Sequence, residues 1–291
     1  MEKVDVIPNY NRRDWQAHAN YGAMREAERG YAESTFKQLV SVKVQGIGAT
    51  RAALGRVLRS VDFVGWSRRE ETGRLDKRSL SRFAVGDGTL FSRRTSKEAT
   101  KSAVTVLVDC SGSMSGSMEI TAQVATQLGL LLEQSRVSLN IVGFTGSEPR
   151  DNYDRDLGTN VQELVLVPFK PRGRSLRQCA KEMGMMPSCA IGGNPDYAAI
   201  MYGIEELAAQ PEQRKVLFFL TDTGSYIESH MAHAAKMAEK LGITMIAIGI
   251  QTRDVKKLFK HAVDVSDIHD LGKHTFNILL KTIKPKKVES T

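Results

Sequence analysis

Residues Val104 to Met114 read V-T-V-L-V-D-C-S-G-S-M. An apolar run stops abruptly at a carboxylate, two hydroxyls and a glycine. If the run is a buried strand, Asp109, Ser111 and Ser113 emerge together at its carboxyl end, where open α/β sheets keep their ligand sites. One carboxylate and a pair of neutral hydroxyls suit a hard cation. Mg2+ is the expected ion, taking an octahedron of oxygens at roughly 2.0–2.1 Å, with Mn2+ or Ca2+ as alternatives. So few charged ligands would hold it loosely and leave a position open for the acidic side chain of a partner.

Two further segments carry oxygens to the same edge. G-G-N-P-D, Gly192 to Asp196, opens a helix, and F-L-T-D, Phe219 to Asp222, closes a strand. Loops at neighbouring strand ends meet at the switch point of a doubly wound sheet. Asp109, Ser111, Ser113, Asp222 and either Asn194 or Asp196 would then face one ion. Taken alone, D-x-S-x-S says little, because turns are rich in these residues. The strand before it and the two matching loops give it weight.

The elements that must position these residues are legible from periodicity. Strands are expected at 103–108, 137–144, 215–221 and 243–250, and helices at about 118–135, 195–209, 226–241 and 266–283. Ile200, Ile204 and Leu207 share a face of one helix, and Met231, Ala234, Ala238 and Leu241 of the next. Helices of this length between strands imply crossover units, hence an α/β fold with a doubly wound, mostly parallel sheet. The segment 145–193, with P-F-K-P-R-G-R-S-L-R and M-G-M-M-P-S, reads as a mobile insertion over the carboxyl edge.

Upstream, the chain to about Lys43 is polar with scattered aromatics and is expected to form helices packed on a neighbour. A helix capped by Thr50 would place Leu54, Val57, Leu58 and Val61 on one face and end at Gly65. An extended arm follows, with turn signals alternating with short apolar runs. Residues 1–100 thus read as a helical and extended basic amino-terminal region, and 101–291 as the main domain. The net charge of +8 lies wholly in the first part: residues 1–101 hold 20 Lys and Arg against 12 Asp and Glu, and the remainder holds 21 of each. Arg51, Arg56, Arg59, Arg68, Arg69, Arg74, Lys77, Arg78 and Arg82 make a basic tract suited to an acidic protein face or a polyanion, or simply a solvated surface. Nucleic acid is a possible partner by charge, but no helix-turn-helix, zinc finger or aromatic-rich RNA-binding signature accompanies it.

Composition narrows the chemistry further. Hydrophobic content of 41% and charged content of 25% are those of an ordinary globular protein. Neither a membrane-length apolar stretch nor a signal-peptide core is visible, so a cytoplasmic location without membrane contact is expected. Cys110, Cys179 and Cys189 form no C-x-x-C pair and are read as buried thiols. Without G-x-x-x-x-G-K-[ST] the chain is not expected to hydrolyse ATP. Met114 occupies the middle place where G-x-S-x-G needs serine, which argues against a nucleophilic hydrolase. His230 and His233, with Glu228 nearby, read as a polar helix face rather than a zinc site, and Met183, Met185 and Met186 as adaptable packing.

V-T-V-L-V-D-C-S-G-S-M together with F-F-L-T-D-T resembles a von Willebrand factor A (VWA) domain, a Rossmann-like fold with a metal-ion-dependent adhesion site. More specifically, the lead-in L-F-S-R-R-T-S-K-E-A-T-K-S-A, N-P-D-Y-A-A-I-M-Y-G-I-E-E-L, P-E-Q-R-K-V-L-F-F-L-T-D, Y-I-E-S-H at 226–230 and I-A-I-G-I-Q-T-R-D-V are similar to the carboxyl-terminal part of CobT, the VWA subunit of aerobic cobaltochelatase. The resemblance implies that Ser111 and Ser113 bind Mg2+ directly, and Asp109 and Asp222 directly or through water. The family's threonine loop is replaced by Asn194-Pro195-Asp196, so either side chain can fill that position, and Thr223 stands where glycine is usual. A ring-forming AAA+ ATPase, CobS-like or MoxR-like, is the implied partner, together with a client protein or a chelatase large subunit. CobT is longer and carries an acidic region, so a compact relative of the kind found among bacteriophages is also implied. Two functions follow as expectations: a non-catalytic Mg2+-dependent adaptor, or a subunit of an ATP-dependent cobalt chelatase acting on a tetrapyrrole in cobalamin biosynthesis.

Overall fold

The computed structural model describes residues 12–14, 26–43, 59–79, 88–100, 102–135, 137–146, 153–154, 159–160, 164–190, 192–222, 228–252 and 255–266. Seven strands form the central sheet, in the spatial order β1 (Arg12–Asp14), β9 (Leu164–Lys170), β6 (Ser138–Gly146), β5 (Ser102–Asp109), β10 (Arg214–Thr221), β11 (Ile243–Ile250) and β12 (Ala262–Val265). The five from β6 to β12 are mutually parallel. β9 runs antiparallel to β6, with β1 parallel to β9 at the edge.

All eight residues of β5 are buried, because helices cover both faces of the sheet. Val104, Val106 and Val108 join Val216, Phe218 and Leu220 in one cluster, while Ala103, Leu107, Leu217 and Phe219 enter the other. This strict alternation is the period of two that a strand imposes. Helix α2 (Met118–Gln134) packs in the first cluster, joined there by Phe36 and Leu39 of α1 (Glu26–Ser41). Helices α4 (Asp196–Ala208) and α5 (Glu228–Lys240) pack in the second. Each fully buried Leu, Val or Phe contributes about 1.5–3 kcal/mol. The chain leaves β5 through α2 to β6 on one side, whereas β10 pairs on the other. The switch point therefore lies between β5 and β10, with their carboxyl ends side by side.

The expected strands and helices from 103 to 250 are found within a few residues. The segment 145–193 is different. Within it β9 is a full member of the sheet, followed by α3 (Ala180–Met185), and β7 (Tyr153–Asp154) pairs with β8 (Thr159–Asn160) in a small antiparallel ribbon. Buried Lys170 donates through Nζ to the Leu139 carbonyl at 2.8 Å. Arg172 forks onto Glu206 of α4 through Nε (2.7 Å) and Nη2 (2.9 Å), and also donates to Thr105 Oγ1 at 2.8 Å. These anchors replace the expected mobile insertion with packed structure; residues 147–152, 155–158, 161–163 and 191 lie outside the described residues.

α1 is seated on the α/β body. Ala32 is fully buried, and its carbonyl oxygen would stand 1.9 Å from a Cβ at position 184, so only glycine admits this approach. Gln127 Nε2 donates to the Leu39 carbonyl at 2.9 Å and fixes the far end. Of the helix expected after Thr50, residues 50–58 lie outside the described residues. Val61 and Gly65, placed on that helix, lie instead in β2 (Arg59–Glu70), which pairs antiparallel with β4 (Phe91–Thr100), β4 also pairing with β3 (Arg74–Leu75). Extended pairing outweighs a helical spacing in a run as rich in β-branched and aromatic residues as V-D-F-V-G-W. Arg68, Arg69, Arg74, Lys77 and Arg78 are exposed, while Arg51, Arg56 and Arg82 lie outside the described residues, as does all but the first residue of the helix expected at 266–283. Among the described residues no helix is long and apolar enough to cross a membrane.

Candidate functional site

Asp109 is the last residue of β5. The parallel register that sets Val108 opposite Leu220 carries Asp109 alongside Thr221. Thr221 Oγ1 donates to Asp109 Oδ2 at 2.8 Å, and the backbone N–H of Ser111 donates to Oδ1 at 2.8 Å. The second bond closes a turn on the carboxylate itself, which lets the chain bend at once into the 3-10 turn Gly112–Gly116. From there the hydroxyls continue outward. Ser111 Oγ lies 3.0 Å from Ser113 Oγ, which donates to Asp222 Oδ1 at 3.2 Å. Asp109 and Ser111 are buried, Asp222 half-buried and Ser113 exposed, so the row of oxygens runs from the core to solvent.

Backbone lacing holds the third loop. Gly146, at the end of β6, exchanges hydrogen bonds with Gly193 at 2.9 and 3.0 Å, and Gly112 N–H donates to the Gly192 carbonyl at 3.0 Å. Gly192 has φ +76°, and a Cβ there would stand 2.3 Å from the Gly146 carbonyl oxygen. Glycine at 192 is thus demanded twice, by conformation and by space. Pro195 then leads into α4, whose first residue is Asp196. Asp196 is buried, and its Oδ1 has no hydrogen-bond partner among the described residues.

The structure therefore joins Asp109, Ser111, Ser113 and Asp222 in one hydrogen-bonded row, and the glycine lacing ties the Asn194-Pro195-Asp196 loop to the same turn. Thr221, Thr145 and Gly146 are the residues that sequence reasoning missed. Thr221 precedes Asp222 in the strand, so a strand register would have found it; Thr145, whose hydroxyl donates to the Gly193 carbonyl at 3.3 Å, and Gly146 carry no sequence signal of their own. Thr223 lies outside the described residues.

Charge makes the site receptive to a cation. Burial pushes the Asp109 carboxyl up to about 6, against the opposing effect of its hydrogen bonds from Ser111 and Thr221 and with a further rise from Asp222. Asp196 lies well above the usual carboxylate range, first through burial and then through Asp109 and Asp222; a hydrogen bond with Asn194 acts the other way. Burial also raises Asp222. Carboxylates that raise one another in a partly dry pocket are stabilised by any positive charge placed among them. The donors are all oxygen, as a hard cation requires, since the Cys110 thiol is buried and donates to the Val108 carbonyl at 3.5 Å. Among the described residues no three His, Cys, Asp or Glu side chains form a cage of their own.

The other candidates resolve as packing. Tyr197 Oη lies 2.9 Å from His233 Nδ1, and its ring centroid 4.8 Å from that of His230. The two histidines thereby clasp α5 to the first turn of α4. Met183 and Met186 are fully buried in the core. All three cysteines are free and buried.

A mostly parallel, doubly wound sheet with a D-x-S-x-S turn at its switch point is the architecture of a VWA domain. Residues 90–284, about two thirds of the chain, match the family model described as the cobalamin biosynthesis protein CobT VWA domain, and the chain belongs to that family. Solved structures match more distantly. Proximal thread matrix protein 1 from the mussel byssus matches with a TM-score of 0.48 at 15% identity, over 62% of this chain and 47% of that one. BatB from Bacteroides thetaiotaomicron matches with a TM-score of 0.44 at 16% identity, over 62% and 98%. Manganese-loaded TRAP protein from Plasmodium vivax gives a TM-score of 0.34 at 13% identity, over 65% and 66%. The chain spans about half the length of the mussel protein it matches.

Proposed function

We propose that the chain is a CobT-like adaptor that holds Mg2+ at the Asp109 turn and docks through it on a ring-forming AAA+ ATPase of the CobS or MoxR kind, coupling that motor to a client in the cytoplasm. The observation that carries this reading is the buried Asp196 Oδ1, which has no hydrogen-bond partner among the described residues and lies within electrostatic reach of Asp109 and Asp222, the carboxylates of the row.

In this reading Ser111 and Ser113 offer their hydroxyls and Asp222 its carboxylate, while Asp196 provides the third-loop oxygen and Asn194 steadies it. Asp109 already accepts two hydrogen bonds, so it shapes the turn and acts through water. A bound cation would supply the positive charge that captures a carboxylate of the partner. The exposure of Ser113 leaves a path for that carboxylate, and the burial of Asp109 and Asp196 keeps water from screening the contact.

The test is partner capture. With the AAA+ ring in Mg2+, Ser113→Ala is expected to weaken binding by about tenfold or more, the loss of one charge-assisted contact, with an unchanged melting temperature in EDTA. Equal affinity of the variant and the natural chain refutes the reading. Membership of the CobT family supports a second reading, in which the chain is a subunit of a cobalt chelatase. Reconstitution with a CobS-like ATPase, a large subunit and a tetrapyrrole separates the two, because only the chelatase reading requires metal insertion to depend on this chain.

A further inference from the structure

Between α1 and the start of α2 lies a groove of about 430 Å³. It is lined by Tyr31 and Gln38 from α1, Glu119 and Gln123 from α2, and Ser115 and Gly116 from the 3-10 turn. Ser115 and Gly116 follow Ser113 in that turn. The groove and the candidate metal site therefore share one short piece of backbone.

Its chemistry is specific. Tyr31 is 64% exposed, unusual for so large an aromatic side chain, and Glu119 is exposed beside the turn. Among the described lining residues Glu119 is the one charged group. An aromatic face, a carboxylate and two side-chain amides together recognise a guanidinium, which stacks on the ring and forks onto the carboxylate; a lysine ammonium would satisfy only the charge. The volume suits one long side chain with its backbone and falls near the low end of roughly 300–1,000 Å³ for ligand sites.

The groove is also preorganised. Ala32 against Gly184 and Gln127 on the Leu39 carbonyl hold α1 in place, so little ordering is left for the moment of binding. Moreover, α1 lies outside residues 90–284, the stretch that matches the family. The wall that α1 gives the groove thus comes from outside the matched stretch.

We infer that the groove receives an arginine of the same protein partner whose carboxylate meets the cation, so that the partner's recognition segment pairs an acidic residue with a nearby arginine. The inference rests on the metal reading above. Its test uses the full chain and synthetic peptides that carry one Asp and one Arg at increasing separations, each matched by versions with Gln for Arg or Asn for Asp, measured by fluorescence anisotropy in Mg2+ and in EDTA. At the best separation the Arg peptide is expected to bind about tenfold tighter than its Gln counterpart in Mg2+. Glu119→Gln and Tyr31→Ala should each erase that preference without changing the affinity of the Gln peptide, and Ser113→Ala should abolish Mg2+-dependent binding of every peptide. Equal binding of Arg and Gln peptides at all separations, or a preference that survives Glu119→Gln, overturns the groove and leaves the metal reading standing where Asp-dependent capture still needs Mg2+. An Arg preference that persists in EDTA overturns the link between the two sites. Binding that never depends on Mg2+ or on Asp, or no binding at all, overturns both.

Discussion

Thr221 donates its hydroxyl to Asp109 at 2.8 Å, although 112 positions separate them in the chain. This one bond ties the carboxyl ends of the two strands that flank the switch point and orients the carboxylate on which the D-C-S-G-S turn closes. Thr221→Val keeps the shape and removes the donor. We expect it to cost about 1–3 kcal/mol in urea unfolding, the penalty for a buried acceptor left unmade, and to weaken Mg2+ binding by calorimetry. The fold itself should persist, as judged by an unchanged far-UV spectrum.

The pH dependence of stability has a definite sign. Asp109 lies at about 6 rather than 3.8, and Asp196 and Asp222 are raised as well. A carboxylate whose folded value lies above its unfolded value contributes stability that is complete below the unfolded value and lost as pH rises through the folded one. The metal-free chain should accordingly lose stability from about pH 4 to pH 7, and Mg2+ should restore it most at the upper end. At a concentration about a hundredfold above its dissociation constant, Mg2+ contributes roughly 2.7 kcal/mol. Melting curves in EDTA and in Mg2+ at a series of pH values check this, and a gap that narrows as pH rises contradicts it.

Gly192→Ala tests the lacing. The substitution places a Cβ 2.3 Å from the Gly146 carbonyl oxygen on a backbone at φ +76°. Positive φ alone costs on the order of 1–3 kcal/mol for a residue with a side chain, and the clash adds to it by pushing the loop off β6. The expected result is a lower urea midpoint together with loss of the Mg2+-induced rise in melting temperature. Gly173→Ala is the control: it also has positive φ, but nothing lies within 4 Å of its Cβ, so it should keep the Mg2+ response.

Arg172 tests the segment whose order was not expected. With side chains about one-sixth exposed, the Arg172–Glu206 pair is neither a surface ion pair nor fully buried. Arg172→Ala strands Glu206 beside Thr105 and should cost about 2–3 kcal/mol, below the full penalty for breaking a buried pair. Replacing both residues, as Arg172→Met with Glu206→Gln, should recover part of that loss. Because this cluster does not touch the D-C-S-G-S turn, Mg2+ affinity should be unchanged by calorimetry.

Much of this was readable from residue order, for physical reasons that also explain the gaps. β5, β6, β10 and β11 are largely buried and so appear as mostly apolar runs, and α4 and α5 carry a clear apolar stripe. Asp109, Ser111, Ser113 and Asp222 were legible because they follow such runs directly. β9 was not, since L-V-L-V-P-F-K contains a proline that reads as a breaker. Pro168 is accommodated beyond the three residues that β1 pairs, beside a register shift in the ladder with β6. The bridge between Gly146 and Gly193 had no signature at all, because it consists of main-chain atoms from positions far apart in sequence. Only the part of β2 up to Gly65 reads as helix, since pairing with β4 is a non-local choice that local spacing does not report; from Trp66 onward the extended reading agrees with the strand.

The docking of α1 bears on how the molecule can be dissected. Phe36 and Leu39 fill the same core as α2, so a fragment cut at the family boundary near residue 90 would leave an oily scar over α2 where that ring and that aliphatic chain had sat. Such a fragment should self-associate or precipitate, whereas one that begins ahead of Glu26 keeps the surface sealed.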